Sequence, residues 1–129
     1  MARRTVSDGS SFEQLAGYAR AVRIGSHVAV SGTAALSDGV VLHPGDAYAQ
    51  TSEALSRALA AAADLGAGAA DVIRTRLLLV EDCEWHGAVR AHGEVFSGID
   101  PANTTYFVAG FIPEGVLVEV ELDAVVEDD

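Results

Sequence analysis

Apolar and polar positions alternate most cleanly near the end of the chain, over residues 116–126. Strand side chains point to opposite faces in turn, so Val116, Val118, Val120, Leu122, Ala124 and Val126 share one face. Leu117, Glu119, Glu121, Asp123 and Val125 share the other. The pattern predicts a strand with one core face and three carboxylates on its other side. A different period governs residues 46–65: Tyr48, Thr51, Leu55, Ala58, Leu59, Ala62 and Leu65 recur at helical spacing, with Glu53, Arg57 and Asp64 opposite and Asp46 placed as N-cap. The break at 65–68 reads as the stop of that helix.

The remaining segments follow the same two periods. Val- and Ile-rich residues 21–31, broken by Gly25-Ser26, predict two short strands joined by a tight turn. Val40-Val41-Leu42 after Ser37-Asp38-Gly39 predicts a short hairpin strand. Residues 73–80 read as a strand, and 82–96 as a second helix carrying Cys83 and offering Trp85, Val89 and Phe96 to the core. A strand over 104–111 and a turn at Ile112-Pro113-Glu114-Gly115 lead into the final strand. The order β-β-β-α-β-α-β-β predicts an α+β domain over 1–129, a mixed sheet with both helices on one face. The uncovered face of such a sheet argues for a closed homo-oligomer.

Composition narrows the partners. A formal net charge of −11, from 19 acidic against 8 basic residues, opposes binding to phosphate backbones, so no nucleic acid is expected. Arg3-Arg4, the basic cluster, reads as a solvated terminal tail. With no apolar run near the ~20 residues of a membrane span and no signal-peptide pattern, no membrane partner is expected and the cytoplasm is the expected location. The lone Cys83 excludes an internal disulfide framework.

Candidate chemistry is sparse. Glu119, Glu121 and Asp123 can bind a cation, exchange protons or simply face water, and His27, His43, His86 and His92 lack the spacing that would complete a metal site. Ser31-Gly32-Thr33 can present backbone N–H groups to an anion or be an ordinary strand exit, and Pro101-Ala102-Asn103-Thr104-Thr105 is equally routine turn chemistry. No P-loop, GxGxxG or nucleophile elbow is present, and neither metal nor cofactor is expected.

Read in order, Gly17-Tyr18, Val22-x-Ile24-Gly25 with Val28-x-Val30-Ser31-Gly32, Gln50-Thr51, Asp71-Val72-Ile73, Pro101-Ala102-x-Thr104 and Val118-Glu119-Val120-Glu121 resemble the Rid (YjgF-type) family over nearly the whole chain. The resemblance implies a chorismate-mutase-like subunit, a homotrimer with small-molecule clefts between subunits, and hydrolysis of enamines or imines to a carbonyl compound and ammonia without metal or cofactor. It also implies Glu119 as the acid that handles the attacking water, and Tyr18, Ser31 and Gly32 as cleft wall. Where the deaminating members carry an arginine that clamps a substrate carboxylate, this chain has Asn103, followed by Thr104 and Thr105, at the start of a segment, residues 103–113, one residue longer than in typical deaminases. Arg90 in the second helix is a candidate replacement charge. Three functions follow: an imine or enamine hydrolase with a substrate other than 2-aminoacrylate, a different small-molecule reaction such as hydrolysis, dehydration or cyclisation in the same cleft, or a non-catalytic trimeric binding protein.

Overall fold

The computed structural model describes residues 2–127, whose backbone forms a six-stranded sheet and a separate two-stranded ribbon. Its elements are β1 (Arg3–Val6), α1 (Ser11–Ala16), β2 (Ala21–Ile24), β3 (His27–Thr33), β4 (Leu36–Ser37), β5 (Val40–Val41), α2 (Ala47–Asp64), β6 (Val72–Val80), α3 (Trp85–Phe96), β7 (Ala102–Val108) and β8 (Val118–Val125). Strand order across the large sheet is β1-β2-β3-β8-β6-β7. Only β6 and β7 run parallel, because α3 carries the chain back between them; the other neighbours are antiparallel.

The expected α+β architecture holds. Helix α2 packs on β3 and β8 and against α3, and the core forms between helices and sheet. Val118, Val120, Leu122 and Ala124 of β8 are fully buried while Glu119, Glu121 and Asp123 are only half-buried, so the alternation reads as expected. Each Val or Leu so buried contributes about 1.5–3 kcal/mol. Asp46 caps α2 by accepting from the Ala49 N–H at 2.9 Å, and Gly66, at φ 93, carries the chain out of it. The fully buried Gln50 ties the start of α2 to the approach of β8: its Nε2 donates to the His43 and Gly115 carbonyls, both at 3.2 Å, and its Oε1 accepts from the Leu117 N–H at 2.8 Å.

Several local expectations need correction. Arg3 and Arg4 are not a loose tail but lie in β1, paired with Ile24 and Arg23 of β2. Four residues at a sheet edge, exposed on both faces for most of their length, leave no hydrophobic period to read. Helix α1 escaped for a similar reason: it is only six residues long and buries only Glu13, whose carboxylate accepts from the Ser7 hydroxyl and the Asp8 N–H. Helix α3 begins at Trp85, so Cys83 sits in the preceding turn, where Asp82 adopts φ 70. Its buried residues are Gly87, Ala88, Ala91 and Phe96, whereas Trp85 and Val89 are 44% and 43% exposed. Gly87 explains the close packing, since a Cβ there would meet the Tyr48 backbone nitrogen of α2 at 3.3 Å. β7 starts and ends earlier than its apolar pattern predicts, and the 116–126 strand is regular from Val118.

Candidate functional site

The site is built around an irregularity in β3. Val30 pairs with Leu122 and Thr33 with Val120, so three steps along β3 match two along β8 and the register slips at Ser31-Gly32. The bulge brings Gly32 against Glu119. A Cβ on residue 32 would lie 2.5 Å from Glu119 Oε1, so the absent side chain is what lets the carboxylate rest there. Burial raises the Glu119 pKa above its ordinary value; the nearby Arg20 charge pulls it back, and Glu121 pushes it further up.

Arg20 holds the other side of the bulge. Its Nη2 donates to the Ser31 carbonyl at 3.2 Å, the Gly32 carbonyl at 2.6 Å and Thr33 Oγ1 at 2.9 Å. Gly32 is therefore the meeting point of a cation from the loop before β2 and a carboxylate from β8. Ser31 Oγ donates to the Ala19 carbonyl at 2.6 Å, and the Ser31 N–H donates to the Arg20 carbonyl at 3.0 Å, which fixes the loop to the strand. Tyr18 leaves α1 through Gly17 at φ 75; its ring lies 5.8 Å from the Arg20 guanidinium and edge-on to Phe12 at 6.3 Å. Tyr18 is 40% exposed.

Tyr18, Ser31, Gly32 and Glu119 thus gather on or beside the sheet face away from α2 and α3. On that face the register places Leu78 and then Tyr106 in the row of Glu119, and Arg76 and then Thr104 in the row of Glu121. Thr104 and Glu119 share a face but stand two strands and two residues apart, about 12 Å across the sheet. Arg76 is engaged by Glu121, Nη1 to Oε1 at 3.6 Å, and His27 lies 3.8 Å from Asp123.

Asn103 and Thr105 point the other way. Asn103 pairs with Thr75, a residue of the helix-covered face, and its Nδ2 donates to Thr75 Oγ1 at 3.0 Å. Thr105 Oγ1 donates to Asn103 Oδ1 at 2.8 Å. Arg90 stands on α3 with its guanidinium 4.0 Å from the Tyr48 ring centre, and Tyr48 Oη donates to Glu94. One chain therefore brings Glu119 together with Tyr18, Ser31 and Gly32, but not with Asn103, Thr105 or Arg90.

Two neighbours of Glu119 carried no motif. Arg20 is a lone basic residue in the loop before β2, and the alternation of β7 is the only signal that Tyr106 shares the face of Thr104. Among the described residues no group of three or more His, Cys, Asp or Glu side chains is placed to hold a metal ion. No helix among them is long and apolar enough to cross a membrane.

The chain matches known proteins both in sequence and in fold. Residues 9–126 match the family described as Endoribonuclease L-PSP. The chain is 42% identical over 121 residues to an uncharacterized protein of Streptomyces coelicolor, covering 94% of this chain and 90% of that one. It is 41% identical to Rv2704 of Mycobacterium tuberculosis, described as a member of the highly conserved YjgF/YER057c/UK114 family, with a TM-score of 0.86 over 97% of this chain and 100% of that one. The fold is shared with YyfA of Yersinia pestis, from the conserved Rid protein family, at 21% identity and TM-score 0.82, over 97% and 100% of the two chains. The chain belongs to the Endoribonuclease L-PSP family, also known as the YjgF/Rid family. Its subunit has the chorismate-mutase-like fold of that family, for which a trimer is typical.

Proposed function

We propose that this protein hydrolyses small imines or enamines to a carbonyl compound and ammonia, in clefts between the subunits of a homotrimer, with Glu119 as the acid–base group. The observation that carries the reading is Glu119 itself: a half-buried carboxylate set against Gly32, with its pKa raised by burial. Such a group accepts a proton more readily than an exposed carboxylate does. Water adds to the imine carbon, and Glu119 takes its proton and passes it to the imine nitrogen. The resulting carbinolamine loses ammonia when Glu119 moves the hydroxyl proton to the amine and the C–N bond breaks. One water is consumed, the C=N bond becomes C=O and one ammonia leaves, so the sequence balances without a redox partner.

Geometry supports the shared cleft. Asn103 and Glu119 lie on opposite faces of one sheet, so both can contact one substrate only if Asn103 comes from a neighbouring copy. β7, exposed along nearly its whole length, is the edge available for that approach. Tyr18, Ser31 and Gly32 form the wall beside Glu119. RNA cleavage, the activity in the family's description, is disfavoured by the charge of −11 and by the pairing of Arg76 with Glu121 on the face that carries Glu119.

A second reading, a different small-molecule reaction in the same cleft, draws on Asn103: its amide is held by Thr75 and Thr105, and it offers no charge to a substrate carboxylate. Ammonia release from 2-aminoacrylate generated in situ, and from imines that lack a carboxylate, separates the two. Hydrolysis of an imine lost in Glu119→Ala supports the first reading. Equal ammonia release by wild type and Glu119→Ala removes it. Activity on 2-aminoacrylate gained by Asn103→Arg shows that only the anchor differs from the deaminating members.

A further inference from the structure

Along the β7 edge, on the side covered by α3, four side chains form one hydrogen-bonded series. Thr105 Oγ1 donates to Asn103 Oδ1 at 2.8 Å, Asn103 Nδ2 donates to Thr75 Oγ1 at 3.0 Å, and Thr75 Oγ1 stands 2.7 Å from His92 Nε2. A hydroxyl has a single hydrogen to give. Thr75 is fully buried and accepts from Asn103, and among the described residues its Oγ1 meets no acceptor other than His92 Nε2, so its own hydrogen points there. His92 is therefore the neutral tautomer with its proton on Nδ1. Its surroundings agree: the Phe96 ring centre is 4.8 Å away, and burial alone lowers the His92 pKa.

The direction of the series decides what remains for a ligand. Asn103 keeps one N–H and one carbonyl lone pair, Thr105 keeps its oxygen lone pairs, and both residues are exposed. Among the described residues of one chain no cation joins them. Arg74 and Arg76 sit in register with Asp123 and Glu121 of β8, whose side chains line the opposite face. Arg90 stacks on Tyr48, and two residues along a helix it stands about 200° around the axis from His92.

We propose that His92, acting through Thr75, fixes the Asn103 amide as a neutral donor–acceptor anchor, so that the cleft at β7 takes ligands presenting an uncharged hydrogen-bonding edge, such as a primary amide, in preference to a carboxylate. The proposal rests on the imine-hydrolase reading for the use of the cleft and names its substrate class. His92 and Thr75 are positioning residues. They touch the anchor, not the reacting atoms.

The test is side-chain NMR on the full-length 15N-labelled protein, with acetamide and acetate as matched probes. At pH 7 the His92 imidazole is expected as the Nδ1–H tautomer with Nε2 accepting. Acetamide is expected to shift the Asn103 side-chain amide signals, with acetate about tenfold weaker, the scale of one hydrogen bond together with the desolvation of a charge. Thr75→Val, which keeps the shape and removes the hydroxyl, is expected to move the His92 and Asn103 signals together and to weaken acetamide about tenfold. His92→Gln, whose Oε1 can still accept, should hold acetamide within about threefold of wild type. An Nε2–H tautomer, acetate bound as tightly as acetamide, or Asn103 signals unmoved by Thr75→Val overturns the proposal. If Thr75→Val does not fold, the wild-type tautomer and the probe pair decide it. No turnover is needed, so a protein that releases no ammonia from any imine yet prefers acetamide sinks the hydrolase reading alone.

Discussion

β8 and β7 belong to one sheet with only β6 between them, yet they are built to opposite rules. β8 lies inside the sheet, paired on both sides, and alternates buried and half-buried residues without a break. β7 is paired on one side only, and residues 102–107 are exposed on both faces, Tyr106 at 43% and Phe107 at 53%. A central strand is fixed by its own core, so a functional side chain on its other face inherits a rigid position. An edge strand that buries little is placed by hydrogen bonds, here those of Asn103 and Thr105, and its apolar side chains are left for another surface.

Truncating one strand and then the other breaks that contrast most directly. Leu122→Ala in β8 removes a fully buried side chain and is expected to cost about 3 kcal/mol in chemical denaturation. Phe107→Ala in β7 should cost less than about 1 kcal/mol at low protein concentration, because the ring is half exposed within one chain. If the edge meets a second copy, the Phe107→Ala deficit grows as protein concentration rises, since association stabilises by mass action. A deficit near that of Leu122→Ala at every concentration would mean that β7 is no mere edge.

Next in size is the bulge. In Gly32→Ala the new methyl would sit 2.5 Å from Glu119 Oε1, and the carboxylate must swing aside. The end of a glutamate moves cheaply, so stability is expected to fall by less than about 1 kcal/mol, whereas the proposed imine hydrolysis should drop about a hundredfold if Glu119 is its acid–base group. Unchanged hydrolysis would show that the contact between Gly32 and Glu119 has no part in the chemistry.

How far the sequence exposed these features depends on burial. The faces of β8 and the course and cap of α2 were legible because one side of each touches the core and imposes a period. β1 and α1 were not, because four and six residues that bury almost nothing carry no period at all. At the site, Glu119, Gly32, Ser31 and Tyr18 were named through the resemblance, and the fold brings them together. Arg20 was missed because its role is to hold backbone carbonyls, a task that leaves no spacing signature. Asn103 was named, but residue order could not show that it turns toward Thr75 and His92; that depends on the parallel pairing of β6 with β7.

The smaller effects concern charge, and the two strands differ in sign. Glu119 beside β3 has a raised pKa, so the fold favours its protonated form. Its stabilising contribution is fully present below the ordinary carboxylate value and is lost as pH rises through its folded pKa. Glu119→Gln should therefore be more stable than wild type at pH 8, by no more than about 1 kcal/mol because the group still reaches solvent, and the gap should close toward pH 4. A gap that widens on acidification would reverse the assigned shift.

His92 behind β7 behaves in the opposite sense. Burial lowers its pKa from the ordinary 6.5, so its contribution is present above that value and is lost as pH falls through the folded pKa. Protonation would place a hydrogen on Nε2, facing the hydrogen that Thr75 Oγ1 donates, and would break the Thr75–His92 bond that orients the series. Wild type is thus expected to lose about 0.5 kcal/mol relative to His92→Gln between pH 7 and pH 5, a small amount because the imidazole is only half-buried. Thermal melts of the two proteins across that range measure it. If their difference does not change with pH, the imidazole does not carry the hydrogen-bond polarity that positions Asn103, and the edge strand is held by backbone pairing alone.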